Sequence, residues 1–179
     1  RESWTGISHL AIFGQLKGNW RALQDNMPTN CALANSGTYA VRHNPATYYT
    51  PIAAECATRN VPLADPPDLS ARFTFITPDL CNGTHDCPVA TGDAWLRQFI
   101  PKIVRTPQYQ AGRTVVFLTW DESDGTPENH IATIVIAPVR TPLIRVGTAS
   151  GSSTRRITSS SVIPIPRAAS TAPRSTWRT

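Results

Sequence analysis

Hydrophobic positions along the chain gather in short clusters separated by proline and glycine breaks. Leu10, Ile12, Phe13, Leu16, Trp20 and Leu23 recur at roughly helical spacing, interrupted by Gly14 and Gly18. The pattern predicts a short amphipathic helix and a second one from about Trp20 to Asn26, ended by Pro28. Tyr39 to Val41 reads as a short strand running into a turn at His43, Asn44 and Pro45. Residues 46–58 are compatible with a helix, with Tyr48, Ile52 and Cys56 on one face, and residues 65–68 form a loop. Phe73 to Ile76 is a strand stopped by Pro78. Gly92 and Asp93 open a helix with Asp93 as its N-cap; Trp95, Leu96, Phe99, Ile100, Ile103 and Val104 form its apolar face. Pro101 is expected to kink or restart that helix.

Two runs, 114–120 and 131–137, are nearly continuous in apolar and β-branched residues. Continuous apolar strands with helices between them predict a parallel or mixed sheet covered on both faces, hence an α/β fold. After Arg145 the periodicity ends and Ser, Thr, Gly, Pro and Arg dominate. The expected organisation is a folded domain over 1–145 and a disordered tail over 146–179.

Charge changes little once it is located. The chain of 179 residues carries 17 basic and 12 acidic side chains, a net charge of +5. Six of the basic residues, all Arg, fall within 141–179, which has no acidic residue, so the first 140 residues hold 11 basic against 12 acidic. A near-neutral body offers no phosphate-tracking stripe, which disfavours nucleic-acid binding by the folded part. With 40% hydrophobic residues the chain is not wholly disordered, and its apolar runs are too short to span a bilayer.

Four cysteines, Cys31, Cys56, Cys81 and Cys87, allow two disulfides in three connectivities and fit an exported protein. No charged-then-apolar leader opens the chain, so a leader has been removed or the chain starts partway through a longer protein. Proximity in sequence pairs Cys31 with Cys56 and Cys81 with Cys87. The latter closes a short loop bearing His85 and Asp86, worth roughly 2–3 kcal/mol by loop-closure entropy. The spacing does not suit zinc, which favours pairs two to four residues apart. Asn82-Gly83-Thr84 also matches an N-glycosylation pattern.

Three places hold candidate chemistry. The run 114–120 exits into Asp121 and Glu122, with His130 eight residues further on. Carboxylates at a strand end sit where α/β proteins build their sites, and hard divalent cations need such oxygen ligands. The same residues also fit a polar strand exit with His130 on the surface. His85 lies in the Cys81–Cys87 loop, and His43 follows Arg42 before an Asn-Pro turn; each could equally be structural. No Gly-x-Ser-x-Gly nucleophile elbow and no phosphate-cradling glycine loop occurs.

Taken in order, several segments resemble the bacterial phosphoesterase family, which includes secreted acid phosphatases and phospholipase C enzymes of the alkaline-phosphatase superfamily. They are Met27-Pro-Thr-Asn-Cys31, Tyr39-Ala-Val-Arg-His-Asn-Pro45, Phe75-Ile-Thr-Pro-Asp-Leu-Cys81, Thr84-His-Asp-Cys87, Ala90-Thr-Gly-Asp-Ala-Trp-Leu96, Val116-Phe-Leu-Thr-Trp-Asp-Glu122 and Asn129-His-Ile131. The resemblance covers about 12–140. It implies an alkaline-phosphatase-like α/β/α sandwich, incomplete on its amino-terminal side. It also implies a divalent metal ion held by Asp121 and Glu122, and a phosphate site lined by His43 and His85 with His130 nearby. The substrate implied is a phosphorylated small molecule or lipid, and the location secreted or extracytoplasmic.

The family's Glu-Asn ligand pair and its Ser or Thr nucleophile belong to a block that precedes this chain's first residue. Gly83-Thr84 stands where the family often has Asp-Met, and a Ser/Arg/Thr tail replaces its carboxyl-terminal block. The resemblance therefore implies the carboxyl-terminal portion of a phosphoesterase with low or no activity alone, its tail divergent or translated out of frame. The rival readings are a disulfide-stapled secreted module that binds an anionic ligand, and a nucleic-acid binder acting through the basic tail.

Overall fold

In the computed structural model, residues 8, 11–121, 127 and 130–138 are described. The elements run α1 (Ile12–Gln15), β1 (Trp20–Gln24), α2 (Ala53–Arg59), β2 (Asn60–Pro62), β3 (Phe73–Thr77), α3 (Val89–Val104), α4 (Pro107–Gln110), β4 (Val116–Thr119) and β5 (Thr133–Ile136). Single 3-10 turns occupy Val41–His43, Pro45–Tyr48 and Thr50–Ile52.

β1 lies between β2 and β3 in a parallel sheet. Ala22 stands opposite Asn60 and Phe75, and Gln24 opposite Pro62 and Thr77. On one face Trp20 and Ala22, flanked by Phe73 and Phe75, pack against Phe13, Ala46 and Ile52. On the other, α3 presses Phe99 and Ile103 towards Leu63 and Ile76. Alternate side chains of a strand point to opposite faces, so the two clusters cover the sheet from both sides. The protein is an α/β fold with this sheet as the middle layer. Trp20 is fully buried, and its indole N–H donates to Glu55 Oε2 at 3.1 Å, the partner that a buried indole needs.

The structure corrects several local expectations. Trp20 to Asn26 is no helix: its first five residues form the central strand. Four of those five are buried, because a strand covered on both faces loses its period-2 signature, and Trp20 and Leu23 then mimic a helical stripe. Tyr39 to Val41 is not a strand either; Tyr39 makes one isolated bridge to Ser36 and the chain turns into a 3-10 turn. Within 46–58, helix is confined to α2, and the start is 3-10.

α3 begins at Val89 with Pro88 as its cap, five residues ahead of the expected cap at Asp93. Asp93 therefore sits inside the helix and pairs with Arg97 at 2.7 Å. Pro101 neither breaks nor restarts the helix; the apolar face continues across it through Phe99 and Ile103, at the loss of one backbone hydrogen bond.

The two apolar runs do form strands, but they pair with each other antiparallel. Val116 and Ile136 pack on the α3 cluster. Phe117, Ile134 and Val135 are about half exposed, so this pair is not the doubly covered sheet that its composition predicted. Both disulfides, Cys31–Cys56 and Cys81–Cys87, are present. Among the described residues no helix is long and apolar enough to cross a membrane. The tail expected over 146–179, and Leu10 of the first predicted helix, lie outside the described residues.

Candidate functional site

In a parallel sheet all strands end on one edge, and α/β proteins bind ligands there. Here β1 leads into Asp25 and Asn26, and β3 into Pro78 and Asp79. Asp79 is buried. Its Oδ2 accepts from Asn26 Nδ2 at 2.7 Å and Thr38 Oγ1 at 2.5 Å, and its Oδ1 from the backbone N–H of Cys81 at 3.0 Å and Asn82 at 2.7 Å. Burial alone would raise its pKa, but these hydrogen bonds outweigh it and hold the carboxyl below the ordinary range. Asp25 Oδ2 accepts from Asn82 Nδ2 at 2.7 Å. Together the two carboxylates fasten the Cys81–Cys87 loop to the sheet edge. The glycosylation pattern at Asn82 thus meets a side chain already engaged with Asp25.

The loop is tightly made. A Cβ on Gly83 would stand 2.9 Å from the Asp79 carbonyl oxygen. Gly92, within α3, leaves room for Thr84; a Cβ there would also come within 2.9 Å of the Asn82 carbonyl oxygen. Thr84 has φ +66°, a left-handed conformation that is strained for a β-branched residue. His85 follows directly.

A second segment brings Arg42 and His43. It is fixed from below by Asn44 and Asn60, both fully buried. Asn60 Nδ2 donates to Asn44 Oδ1 at 2.9 Å, and Asn44 Nδ2 donates to the Tyr39 hydroxyl at 2.9 Å. The Tyr39 hydroxyl in turn donates to the Ala32 carbonyl at 2.8 Å, beside Cys31. Thr38 ties the two segments: its carbonyl accepts from Leu80 N–H at 3.0 Å while its hydroxyl holds Asp79.

On this frame the rings of His43 and His85 lie 5.1 Å apart, and Arg42 Nη2 is 3.4 Å from His85 Nε2. His85 Nδ1 meets Asp86 Oδ1 at 2.6 Å. Burial first, then the positive fields of Arg42 and His85, push the His43 pKa down, while Asp121 and Asp86 oppose the shift. Asp121 is therefore close enough for its charge to act on His43. The register that pairs Thr119 with Thr133 puts Asp121 and His130 at one end of the β4–β5 pair. His130 is exposed there.

Of the residues singled out in the sequence, His43 and His85 come together and Asp121 joins them electrostatically. Glu122 lies outside the described residues. Among the described residues no three His, Cys, Asp or Glu side chains are grouped so as to hold a metal ion. What they can do is bind an oxyanion between Arg42 and two imidazoles and move a proton at an imidazole nitrogen. Sequence reasoning missed Asp25, Asp79 and the Asn44–Asn60 pair. The only signal for the carboxylates was their position just beyond strands, and β1 had been read as a helix.

The sequence profile of the Phosphoesterase family matches residues 71–155, a segment that holds His85, Asp121, Glu122 and His130 but not His43. Phosphatidylinositol-3-phosphatase from Mycobacterium tuberculosis (strain ATCC 25618 / H37Rv) is 26% identical over 116 residues, covering 62% of this chain and 37% of that relative. The chain thus spans little more than a third of the relative's length. No solved structure matches the chain. Over residues 71–155, the chain is similar to the Phosphoesterase family.

Proposed function

We propose that the chain carries the oxyanion-binding side of a site that hydrolyses phosphate esters, of the acid phosphatase or phospholipase C type. Arg42, His43 and His85 receive the phosphoryl oxygens, and His130 serves the same site from the β4–β5 end. Asp121 and Glu122 are its carboxylates for a divalent cation, which when bound would polarise a phosphoryl oxygen. A single carboxylate cannot hold such an ion, so Asp121 would need Glu122 and further oxygen ligands beside it. An extracytoplasmic location suits the two disulfides.

The observation that carries this reading is the meeting of His43 and His85 from separate segments, 5.1 Å apart with Arg42 beside them. Two imidazoles and a guanidinium gathered at the carboxyl edge of a parallel sheet suit a phosphate dianion better than any apolar ligand. The relative's name denotes a phosphatase of a phosphoinositide, so phosphoinositides head the lipid substrates to try.

Hydrolysis of a chromogenic phosphate ester, with and without chelator, tests the reading on this chain and on a longer one extended upstream. Turnover in the longer chain that the chelator abolishes is the expected result. Chelator-insensitive turnover would remove the metal assignment. Phosphate binding without turnover in either chain would favour an anion-binding module instead.

A further inference from the structure

We infer that Asp86 is a positioning residue for His85, holding its imidazole in the tautomer that keeps the proton on Nδ1 and turns a bare Nε2 towards Arg42. The inference rests on the phosphate-ester reading of the site and names a residue that the reading does not use.

The argument comes from what each partner can do. A carboxylate only accepts hydrogen bonds, and a guanidinium only donates them. Asp86 Oδ1 lies 2.6 Å from His85 Nδ1, so that nitrogen must carry the proton. Arg42 Nη2 lies 3.4 Å from Nε2, so that nitrogen must offer its lone pair. Both contacts demand the same tautomer, and the shorter one is charge-assisted.

The pairing is built into the backbone. A single carbonyl, that of Leu80, accepts from the N–H of both His85 and Asp86 at 3.0 Å. Both side chains therefore leave one fixed platform. The Leu80 N–H is itself bound to the Thr38 carbonyl, four residues before Arg42, so the platform and the guanidinium share a frame. The Cys81–Cys87 disulfide closes the same loop. A histidine merely solvated at a loop tip would need none of this bracing. In the metal sites of other proteins a carboxylate behind a histidine fixes tautomer and ring orientation, and here the same logic serves an imidazole facing an oxyanion.

With Nε2 bare, neutral His85 cannot donate to a phosphate oxygen. It can only take up a proton there, and the resulting imidazolium would donate from Nε2 to the oxyanion while Asp86 faces its other edge. Losing Asp86 would let the ring rotate or change tautomer, and the edge facing the anion would no longer be defined.

The direct test is long-range proton–nitrogen NMR of the imidazole nitrogens on the 15N-labelled full chain, with His85 assigned from H85N. Wild type should show the Nδ1–H tautomer. In D86A its population relative to Nε2–H should fall roughly fivefold, the worth of one exposed charge-assisted hydrogen bond. D86N, which keeps an accepting oxygen, should retain most of it. In parallel, inorganic phosphate should bind D86A about tenfold more weakly, in the range seen when such supporting carboxylates are removed. An Nε2–H tautomer in wild type, or an unchanged tautomer and phosphate affinity in D86A, would overturn the inference. If the tautomer responds as expected while the upstream-extended enzyme hydrolyses no phosphate ester, Asp86's role stands and the phosphate-ester reading falls.

Discussion

The two sheets of this protein treat their polar ends in opposite ways. At the carboxyl edge of β1 and β3 the two candidate histidines stand on buried hydrogen-bonded bases, with Asp79 under the His85 loop and Asn44–Asn60 under the His43 segment. The β4–β5 pair presents Asp121 and His130 from two strands bonded only to each other among the described residues, with Phe117 56% exposed and Val135 50% exposed. On the proposed reading, the first region is a preorganised anion cradle, and the second delivers charge to it without a comparable polar base. Rigidity at a site therefore comes here from buried carboxylate and amide networks, and not from the most strand-like sequence in the chain.

The sharpest way to break this contrast is Asp79→Ala. It removes an acceptor of four hydrogen bonds and leaves two backbone N–H groups without their partner. The account predicts a loss of about 3 kcal/mol, read from the shift of a urea unfolding midpoint at constant slope. A loss as small as that of a surface change would remove Asp79 from its central place. Gly92→Val should cost about 2 kcal/mol, because the new side chain drives into Thr84 and the Asn82 carbonyl. Amide exchange should then quicken in residues 81–87 ahead of the rest of the described fold.

Acid should weaken the cradle in two stages. The folded His43 has a pKa below its ordinary 6.5, so between the two values the unfolded chain binds more protons. Stability is full above 6.5 and falls as pH drops through that value and beyond. Asp79 is depressed below 3.8, so its contribution is lost only as pH falls from that value towards its folded pKa. Thermal melts across this range should show the first decline absent in His43→Gln. A stability that rises on acidification through 6.5 would contradict the assignment.

The smallest effects belong to the β4–β5 pair. Phe117→Thr and Asp121→Asn should each change stability by no more than about 0.5 kcal/mol. Asp121→Asn has a second signature: without the carboxylate that opposes its depression, His43 should titrate at still lower pH, measurable from its ring proton shifts. A large destabilisation by Phe117→Thr would mean that this face is not the exposed one described.

How far the sequence foretold this arrangement depended on how locally each feature is encoded. The β3 strand, the apolar face of α3 and both disulfides follow from contiguous runs or near neighbours, and all were legible. β1 was not, because burial on both faces erased the alternation that marks a strand. The start of α3 was misplaced because Gly92 looked like a helix boundary, whereas it is a packing glycine beneath Thr84. Asp79 stood only in the stretch after Pro78, with no reading of its own; its importance comes from Asn26 and Thr38, which only the sheet brings to it. The Asn44–Asn60 pair joins residues sixteen apart, with no pattern to announce it. His43 and His85 were chosen from motif resemblance, and their proximity needed the parallel pairing of β1 with β3.

The central claim, that Arg42, His43 and His85 form one oxyanion cradle, is tested most directly by titrating inorganic phosphate while following the imidazole signals of His43 and His85. The account predicts that both rings respond together with one affinity, and that His43→Ala removes the response of His85. Phosphate that moves neither ring, or moves them with separate affinities, would contradict it.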